Sequence, residues 1–265
     1  MDVIGDLLER DRRSRDVAIV TADGRERTYH DAITNAYKAT NVLRYLGARE
    51  GSTVAIDPAP GLHTALAFLG AARLGAPVRF DPDAGIEAGD CVVLVDVADE
   101  ATTDPTPGTN LAAFGGPPER PETTHWEQEL WSENPATPPS DVAPADPVLR
   151  GADPHRAEPA ARDISHRDPT PRDISHRDLL AAASSVAERY EIEPGTRVVL
   201  RSDLADPRAL AAGLLAPLST GATAVLTDRN REPEAESTDT AVSVVAAGAS
   251  AAAQRDVALD PIGVR

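Results

Sequence analysis

The side chains best suited to chemistry lie in a seven-residue segment that the sequence contains twice. The segment Arg-Asp-Ile-Ser-His-Arg-Asp spans residues 162–168 and recurs ten positions later at residues 172–178. Imidazole nitrogens and carboxylate oxygens are common metal ligands. One interpretation is therefore a metal site that takes one Asp and one His from each copy, namely Asp163, His166, Asp173 and His176.

The duplicated segment has a simpler interpretation, which we favour. Ser175 and Asp178 have the spacing of a capping box, in which a Ser and an acidic residue three positions later satisfy the first N–H groups of a helix. The first copy has the same box at Ser165 and Asp168, but Pro169 stops a helix there. We therefore expect the second copy to cap a helix, the first copy to be loop, and no metal to bind.

The other reactive side chains lack the partners that catalysis needs. Cys91 is the only cysteine, which excludes a disulfide framework and a multi-cysteine metal site. Asp90 beside it has the wrong charge to activate a thiolate, so we expect Cys91 to behave as a small buried residue. His30 and His63 have no evident Ser or Cys partner. We predict no catalytic residue.

Net charge narrows the choice of partners. The chain has 43 acidic and 26 basic residues, a formal net charge of −17. Nucleic acids and anionic membranes both attract basic patches, so neither is expected as a partner. The only lysine is Lys38, and only 3% of residues are aromatic. This composition favours a protein adapted to high salt, which screens the carboxylates; a GC-rich genome that prefers Arg codons is the alternative.

Around these residues, strand and helix patterns alternate over residues 17–97. Apolar runs at 17–21 and 53–57 predict strands, and Thr28 with Asp31 predicts a capping box for the helix between them. Gly75 follows the next helical pattern as its expected C-cap. Strand, helix, strand at this spacing predicts an α/β fold with mostly parallel sheets and crossover helices.

The pattern divides the chain into four regions. Residues 1–100 are predicted to form a first α/β half and residues 148–250 a second. Residues 101–147 contain ten prolines and eight acidic residues without apolar periodicity, which predicts an acidic linker or insert anchored by its two tryptophans. Residues 251–265 are predicted to be a disordered tail. No segment has the apolar length of a membrane span or a signal peptide, so we expect a cytoplasmic protein.

The two halves also resemble each other. The segment at 51–56, Gly-Ser-Thr-Val-Ala-Ile, is similar to Gly-Thr-Arg-Val-Val-Leu at 195–200. A helical pattern follows each segment and ends at a Gly-Ala pair, at Gly75 and at Gly221. Two similar halves predict a pseudo-symmetric domain rather than a solenoid, since a solenoid needs at least three repeats.

Five stretches, in order, resemble the N-terminal region of the acyl-adenylate-forming superfamily, the AMP-dependent synthetases and ligases that include acyl-CoA synthetases. They are Thr28-Tyr29, Leu46-Gly47 with 51–55, residues 69–77, Ser175 to Leu179, and Pro217-Leu218 with 221–226. The resemblance implies this family's pseudo-symmetric α/β fold and an ATP-dependent acyl-CoA ligase ancestry.

The chain departs from the family at the loop that binds ATP phosphates. The family's loop of Gly, Thr, Ser and Lys residues corresponds to residues 152–161, counted back from Ser165. Only Pro159 matches there, and Ala160 replaces the lysine, while Asp153 and Glu158 would repel phosphate. The residues implied for this degenerate loop are Ala152, Asp153, Arg156, Pro159 and Ala160.

The resemblance therefore implies a ligase-like protein that has lost adenylation. The family needs a second lysine, from a C-terminal lid that this sequence does not contain, and Lys38 lies on the first helix pattern instead. We expect a binding or regulatory module with no cofactor; ATP, AMP or CoA would bind only if the degenerate loop retains affinity. A split acyl-CoA ligase completed by a lid-bearing second chain, and a structural partner of an intact paralogue, remain open.

Overall fold

The computed structural model describes residues 1–82, 89–136, 140–152, 172–227, 241–245 and 255–258. Its strands are β1 (Val17–Val20), β2 (Glu26–Thr28), β3 (Thr53–Ile56), β4 (Val78–Arg79), β5 (Asp90–Asp96), β6 (Asn110–Phe114), β7 (Thr124–His125), β8 (Pro147–Ala152), β9 (Arg172–Ser175), β10 (Arg197–Leu200), β11 (Thr223–Leu226), β12 (Ala241–Val245) and β13 (Arg255–Ala258). Its helices are α1 (Tyr29–Tyr45), α2 (Leu62–Leu74), α3 (Trp126–Ser132), α4 (His176–Arg189), α5 (Pro207–Leu210) and α6 (Ala216–Thr220).

The strands form two sheets. One has the order β7-β6-β5-β3-β4-β8-β9 and the other the order β13-β12-β10-β11-β1-β2. Neighbouring strands are parallel except for the pairs β1–β2 and β8–β9. Strands such as β3 are buried along their whole length, as expected for parallel sheets covered on both faces. The predicted α/β class with mostly parallel sheets and crossover helices is confirmed.

The two sheets are built in the same way. In the order of the chain, β1, β2, α1, β3, α2, β4 and β5 correspond to β8, β9, α4, β10, α5–α6, β11 and β12. Each antiparallel pair joins the sheet of the other half, so β1 pairs with β11 and β8 with β4. The fold is therefore pseudo-symmetric, as the sequence predicts, with its N-terminal hairpin in the second sheet.

Helix ends follow the sequence signals. Thr28 accepts the N–H of Asp31 and its own N–H reaches the Asp31 carboxylate, which completes the predicted capping box of α1. Gly75 ends α2 in the left-handed conformation, at φ +76°. Asp206 caps α5 and Pro207 occupies its first turn. Between α5 and α6 the chain forms a π-helical turn over Ala211–Leu215.

Residues 101–147 are not a simple linker, because they contain β6, β7 and α3. In β6, residues Leu111–Ala113 are buried and pair in parallel with β5. The sequence pattern does not indicate this strand, because a short strand buried on both faces has no apolar periodicity. Trp126 is fully buried as a packing anchor, whereas Trp131 is 83% exposed, so the prediction that both tryptophans anchor this region is wrong for Trp131.

The predicted disordered tail is also wrong in part. Residues 255–258 form β13, which pairs in parallel with β12 from Val242 to Val245. The segment reads Arg-Asp-Val-Ala, and its two charged residues do not favour a strand by themselves. The strand forms because the segment pairs with β12. Tertiary pairing therefore overrides local composition at this edge of the sheet.

Candidate functional site

The segment that the family resemblance assigns to the phosphate loop, residues 152–161, begins at the end of β8, and the chain resumes at β9, the edge strand of the seven-stranded sheet. Ala152 is the last residue of β8, and the other implied loop residues, Asp153, Arg156, Pro159 and Ala160, lie outside the described residues. The candidate metal ligands of the first copy, Asp163 and His166, also lie outside them.

Polar contacts join the two ends of this loop. Gly151 has a positive φ of +63°, and its N–H donates to the Asp173 carboxylate at 3.2 Å. Arg150 lies 3.8 Å from the same carboxylate and donates to the Thr53 hydroxyl at 2.7 Å. Asp173 thus contacts both Gly151 and Arg150 and joins β8 to β9.

The second copy of the duplicated segment caps α4. The Ser175 hydroxyl accepts the N–H of Asp178 at 3.2 Å and donates to its carboxylate at 2.7 Å. The reciprocal half of the predicted capping box is not formed, because Ser175 pairs with Pro147 in the β8–β9 ladder. The predicted N-cap of α4 is confirmed, and it is formed by the Ser175 side chain with Asp178.

His176, the other residue of interest in this copy, is completely buried. Its Nδ1 accepts the N–H of Ile4 at 3.2 Å, while Nε2 has no hydrogen-bond partner. Burial lowers the pKa of His176 to about 4, although the Asp146 and Asp6 carboxylates act in the opposite direction. The imidazole is therefore neutral at pH 7 and fastens the N-terminal segment to α4. Among the described residues, no three His, Cys, Asp or Glu side chains are arranged to hold a metal ion.

Lys38, the one lysine of the sequence, lies beside α3. It is on α1, and its ammonium group is 3.4 Å from the carbonyl oxygen of Trp131 at the end of α3. Helix α3 contacts β6 and β7, at the opposite edge of the sheet from β8 and β9. Four strand spacings of about 4.8 Å separate β6 from β8, roughly 19 Å.

The carboxyl end of β3 carries a group of carboxylates that the sequence analysis missed. Asp57 follows β3, Asp96 ends β5, and Asp99 lies in the 3₁₀ turn after it. Burial raises the pKa of Asp57, and the charges of Asp99 and Asp96 raise it further, while an N–H from Ala59 opposes them. These strands lie where the order of a parallel sheet reverses, a usual ligand position. The carboxylates there disfavour phosphate.

A second cluster brings two histidines to one carboxylate. His63 Nε2 and His125 Nε2 each lie 3.5 Å from a different oxygen of Glu127, whose Oε1 also accepts the N–H of Gly115 at 2.6 Å. The His63 ring packs at 5.7 Å from that of Phe114. Burial lowers the pKa of His63, against the attraction of Glu127. The sequence showed His63 without a Ser or Cys partner; its actual partner is 64 positions away.

The remaining candidates have structural contacts. The Cys91 thiol is half-buried and donates to the Ser52 hydroxyl and the Thr53 carbonyl, at 3.3 and 3.2 Å. Burial raises the pKa of this thiol, which leaves it protonated and unreactive at pH 7. The N–H of His30 donates to the Ser14 carbonyl in the first turn of α1. Neither residue lies in a catalytic arrangement.

One cavity of about 440 Å³ opens beside the 3₁₀ turn after β5. The Glu100 carboxylate in its lining accepts the N–H groups of Glu119 and Arg120 at 2.7 and 3.0 Å. The Arg120 guanidinium donates to the carbonyls of Thr103 and Ala101. Because these charges already serve the backbone, they hold the loop together and are not free to bind a ligand.

Solved structures with the same fold are AMP-forming ligases. The anthranilate CoA ligase AuaEII, solved with anthranoyl-AMP, superposes with a TM-score of 0.74 at 17% identity, over 92% of this chain and 49% of its own. MatB from Rhodopseudomonas palustris gives 0.70 at 15% identity, over 92% and 49%. The acyl-CoA synthetase of Brucella canis gives 0.72 at 16% identity, over 91% and 47%.

These likenesses show the fold. The chain has the architecture of the N-terminal region of AMP-dependent acyl-CoA and anthranilate ligases, and it spans about half the length of those structures. No family model matches the sequence, and no curated protein matches it. No helix within the described ranges is long and apolar enough to cross a membrane.

Proposed function

We propose that this chain is a catalytically degenerate acyl-CoA synthetase-like protein that acts as a binding or regulatory module and does not form acyl-adenylates by itself. The fold supports the ancestry, since the chain superposes on the first half of AMP-forming ligases. What supports the loss of activity is the distribution of charge, which is opposite to what a triphosphate requires.

The observation that carries this proposal is the position of Lys38. A lysine near the phosphates would stabilise their charge, and the one lysine of this chain, Lys38, contacts α3. Helix α3 packs on β6, four strand spacings or roughly 19 Å from β8, the strand that leads into the segment assigned to the phosphate loop. Ala160 occupies the position that the family resemblance gives to the loop lysine. Asp153 and Glu158 add negative charge to the same segment.

A second observation points the same way. Asp57, Asp96 and Asp99 meet at the carboxyl ends of β3 and β5, where a parallel sheet of this order usually receives its ligand. Three carboxylates there repel a nucleotide unless a divalent cation intervenes. An uncharged or weakly charged ligand fits the carboxyl ends of β3 and β5 better than ATP does.

The experiment is an assay of acyl-dependent pyrophosphate release in molar salt. The purified chain with ATP, magnesium and a panel of short and aromatic acids is expected to release no more pyrophosphate than a blank without protein. An intact acyl-CoA synthetase in the same buffer is the positive control. Release that depends on both the acid and this chain would refute the proposal.

A split acyl-CoA ligase is the second candidate. The superposition covers 92% of this chain and 49% of the anthranilate CoA ligase, so in this alternative the other half of a ligase is supplied by further residues. The discriminating experiment adds a lid-bearing polypeptide encoded nearby to the purified chain. Pyrophosphate release by the mixture, and by neither component alone, would establish the split enzyme. Co-purification with an intact paralogue without any gain in activity would instead indicate a structural partner.

A further inference from the structure

The end of β10 occupies the place where an open parallel sheet receives its ligand. In the six-stranded sheet, β10 lies between β11 and β12, so the chain leaves β10 first to one side and then to the other. Ligands in such sheets bind outside the carboxyl ends of the strands at this reversal. The loop after β10 reaches the other sheet, because the N–H of Leu204 donates to the Pro58 carbonyl at 2.9 Å.

Two neighbouring donors at this strand end have no acceptor. The Nε of Arg201 is buried without a hydrogen-bond partner. The Ser202 side chain is only 4% exposed, and its hydroxyl also has no partner. Buried polar groups in native proteins are nearly always hydrogen-bonded. Two consecutive residues that each have a buried donor without an acceptor therefore need an explanation.

The other arginine of this loop shows what Arg201 lacks. Arg208 donates through Nε and Nη2 to the two carboxylate oxygens of Asp206, at 3.0 and 2.9 Å. This bidentate contact is the geometry in which a guanidinium binds a carboxylate or a phosphate. Asp206 is thereby neutralised, and the Nε of Arg201 has no equivalent acceptor.

The helix that faces β10 has an unusual local structure. It contains the π-helical turn Ala211–Leu215, and π-helical turns are frequent at functional sites. A Cβ atom on Gly213 in this turn would lie 2.6 Å from the Leu200 side chain, the last residue of β10. The helix therefore approaches closely where the strand ends and fixes the start of the loop that carries Arg201 and Ser202.

We propose that Arg201 and Ser202 supply the donors of a binding site for an oxyanion, the carboxylate or phosphate group of a small molecule. The guanidinium provides charge and a planar edge, and the serine hydroxyl provides a further hydrogen bond. The carboxylates of Asp57, Asp96 and Asp99 belong to the other sheet, so the anionic end of the ligand is held on the β10 side. The proposal rests on the proposed function as a binding module and names the ligand class.

Thermal unfolding at constant molar chloride tests the site, with inorganic phosphate and acetate as separate probes. A ligand at ten times its Kd raises the Tm of a protein of this size by about 3 to 5 °C. We expect this rise in the wild type and its loss in Arg201→Gln, with a reduced rise in Ser202→Ala. A response to phosphate alone or to acetate alone identifies the preferred oxyanion, and either response supports the proposal.

The matched control is Arg197→Gln, which removes the same charge from the opposite end of the same strand. It should respond as the wild type does, since a general effect of salt acts on both variants alike. An equal rise in the Arg197 and Arg201 variants, or no rise in the wild type with either probe, would overturn the proposal.

If Arg201→Gln does not fold, Arg201→Lys keeps the charge and removes the planar edge, and should weaken binding at least tenfold. This unfolding test does not depend on pyrophosphate release. A negative result at Arg201 and Ser202 would therefore leave the proposed function unaffected.

Discussion

The hydroxyl of Tyr29 donates a 2.7 Å hydrogen bond to the carbonyl of Ala222, a residue 193 positions further along the chain. The same hydroxyl lies 3.2 Å from the Pro217 carbonyl, and Arg12 donates to the carbonyls of Leu218 and Ser219 at the end of α6. The N-terminal segment thus satisfies the carbonyls that the end of a helix leaves free. This contact fixes the N-terminal hairpin in the sheet of the second half.

Replacing Tyr29 by Phe should destabilise the protein by about 1 to 3 kcal/mol, because buried carbonyls lose their donor. The measurement is chemical unfolding followed by circular dichroism. Tyr45→Phe is the matched control, since the Tyr45 side chain is 78% exposed and its change should stay within about 0.5 kcal/mol. Equal stability of the two variants would show that the hydroxyl contact contributes nothing.

Local signals were sufficient to predict helix ends in the first half of the fold. The Thr28–Asp31 capping box and the C-cap at Gly75 each depend on residues a few positions apart, and both are present. The family resemblance extended this to the pseudo-symmetric architecture. Such features are predictable because their physics involves neighbours in sequence.

Pairings between distant residues were not predictable in the same way. Nothing near Val17 indicates that β1 pairs with β11, and nothing near His63 indicates Glu127. Strand β6 was missed because its buried alanines carry no periodic signal. The unpaired donors of Arg201 and Ser202 likewise become evident only once their surroundings are known.

Helices α1 and α2 touch at Gly70, which leads to a second prediction. A Cβ atom there would lie 2.8 Å from the backbone nitrogen of Thr40 and 2.9 Å from the Cβ of Ala39. Backbone cannot move aside as a flexible side chain can, so Gly70→Ala should cost about 1 to 3 kcal/mol through overpacking. Gly5→Ala is the control, because its nearest atoms are 3.9 Å away. A Gly70 variant as stable as the wild type would contradict the close helix approach.

His176 predicts how stability depends on pH. Its pKa is about 4 in the folded protein, below the ordinary value of about 6.5 in the unfolded chain. Between these values the unfolded chain takes up a proton that the folded protein does not, so the free energy of unfolding falls as the pH drops from 6.5 to 4. The full loss is about 3 kcal/mol, and stability above pH 6.5 is unaffected by this group.

The test compares urea unfolding of the wild type and His176→Asn across this pH range. The Asn side chain keeps an acceptor for the Ile4 N–H but does not titrate, so its pH dependence should be shallower by the amount given above. His166→Asn, the same substitution in the first copy of the duplicated segment, should leave the wild-type slope unchanged. Parallel curves for the wild type and His176→Asn would mean that the imidazole protonates freely in the folded state.

The duplicated segment offers a deletion that keeps every residue of the cap. Nineteen residues separate Ala152 at the end of β8 from Arg172 at the start of β9. Deleting residues 162–171 joins Ala161 to Arg172 and leaves β9 and the Ser175 cap with their own sequence. Shortening this connection to about half its length should stabilise the protein by about 0.6 kcal/mol, because closing a shorter loop costs less entropy. We expect an unchanged circular dichroism spectrum and a slightly higher urea midpoint; loss of folding would show that the first copy is needed.

Folding is expected to require salt. The net charge is −17, and carboxylates lie close together at the end of β3, where burial and the charges of Asp99 and Asp96 raise the pKa of Asp57. At molar salt the Debye length is about 3 Å and this repulsion is screened, whereas at 0.01 M it is about 30 Å and the carboxylates repel across the whole surface. The core offers little compensation, because only 3% of the residues are aromatic.

The melting temperature, followed by circular dichroism, should fall steeply when sodium chloride is lowered from 2 M to 0.02 M. Sodium chloride and potassium chloride should act alike, because screening depends on ionic strength. A melting temperature that does not change with salt would favour the GC-rich genome as the origin of the arginines.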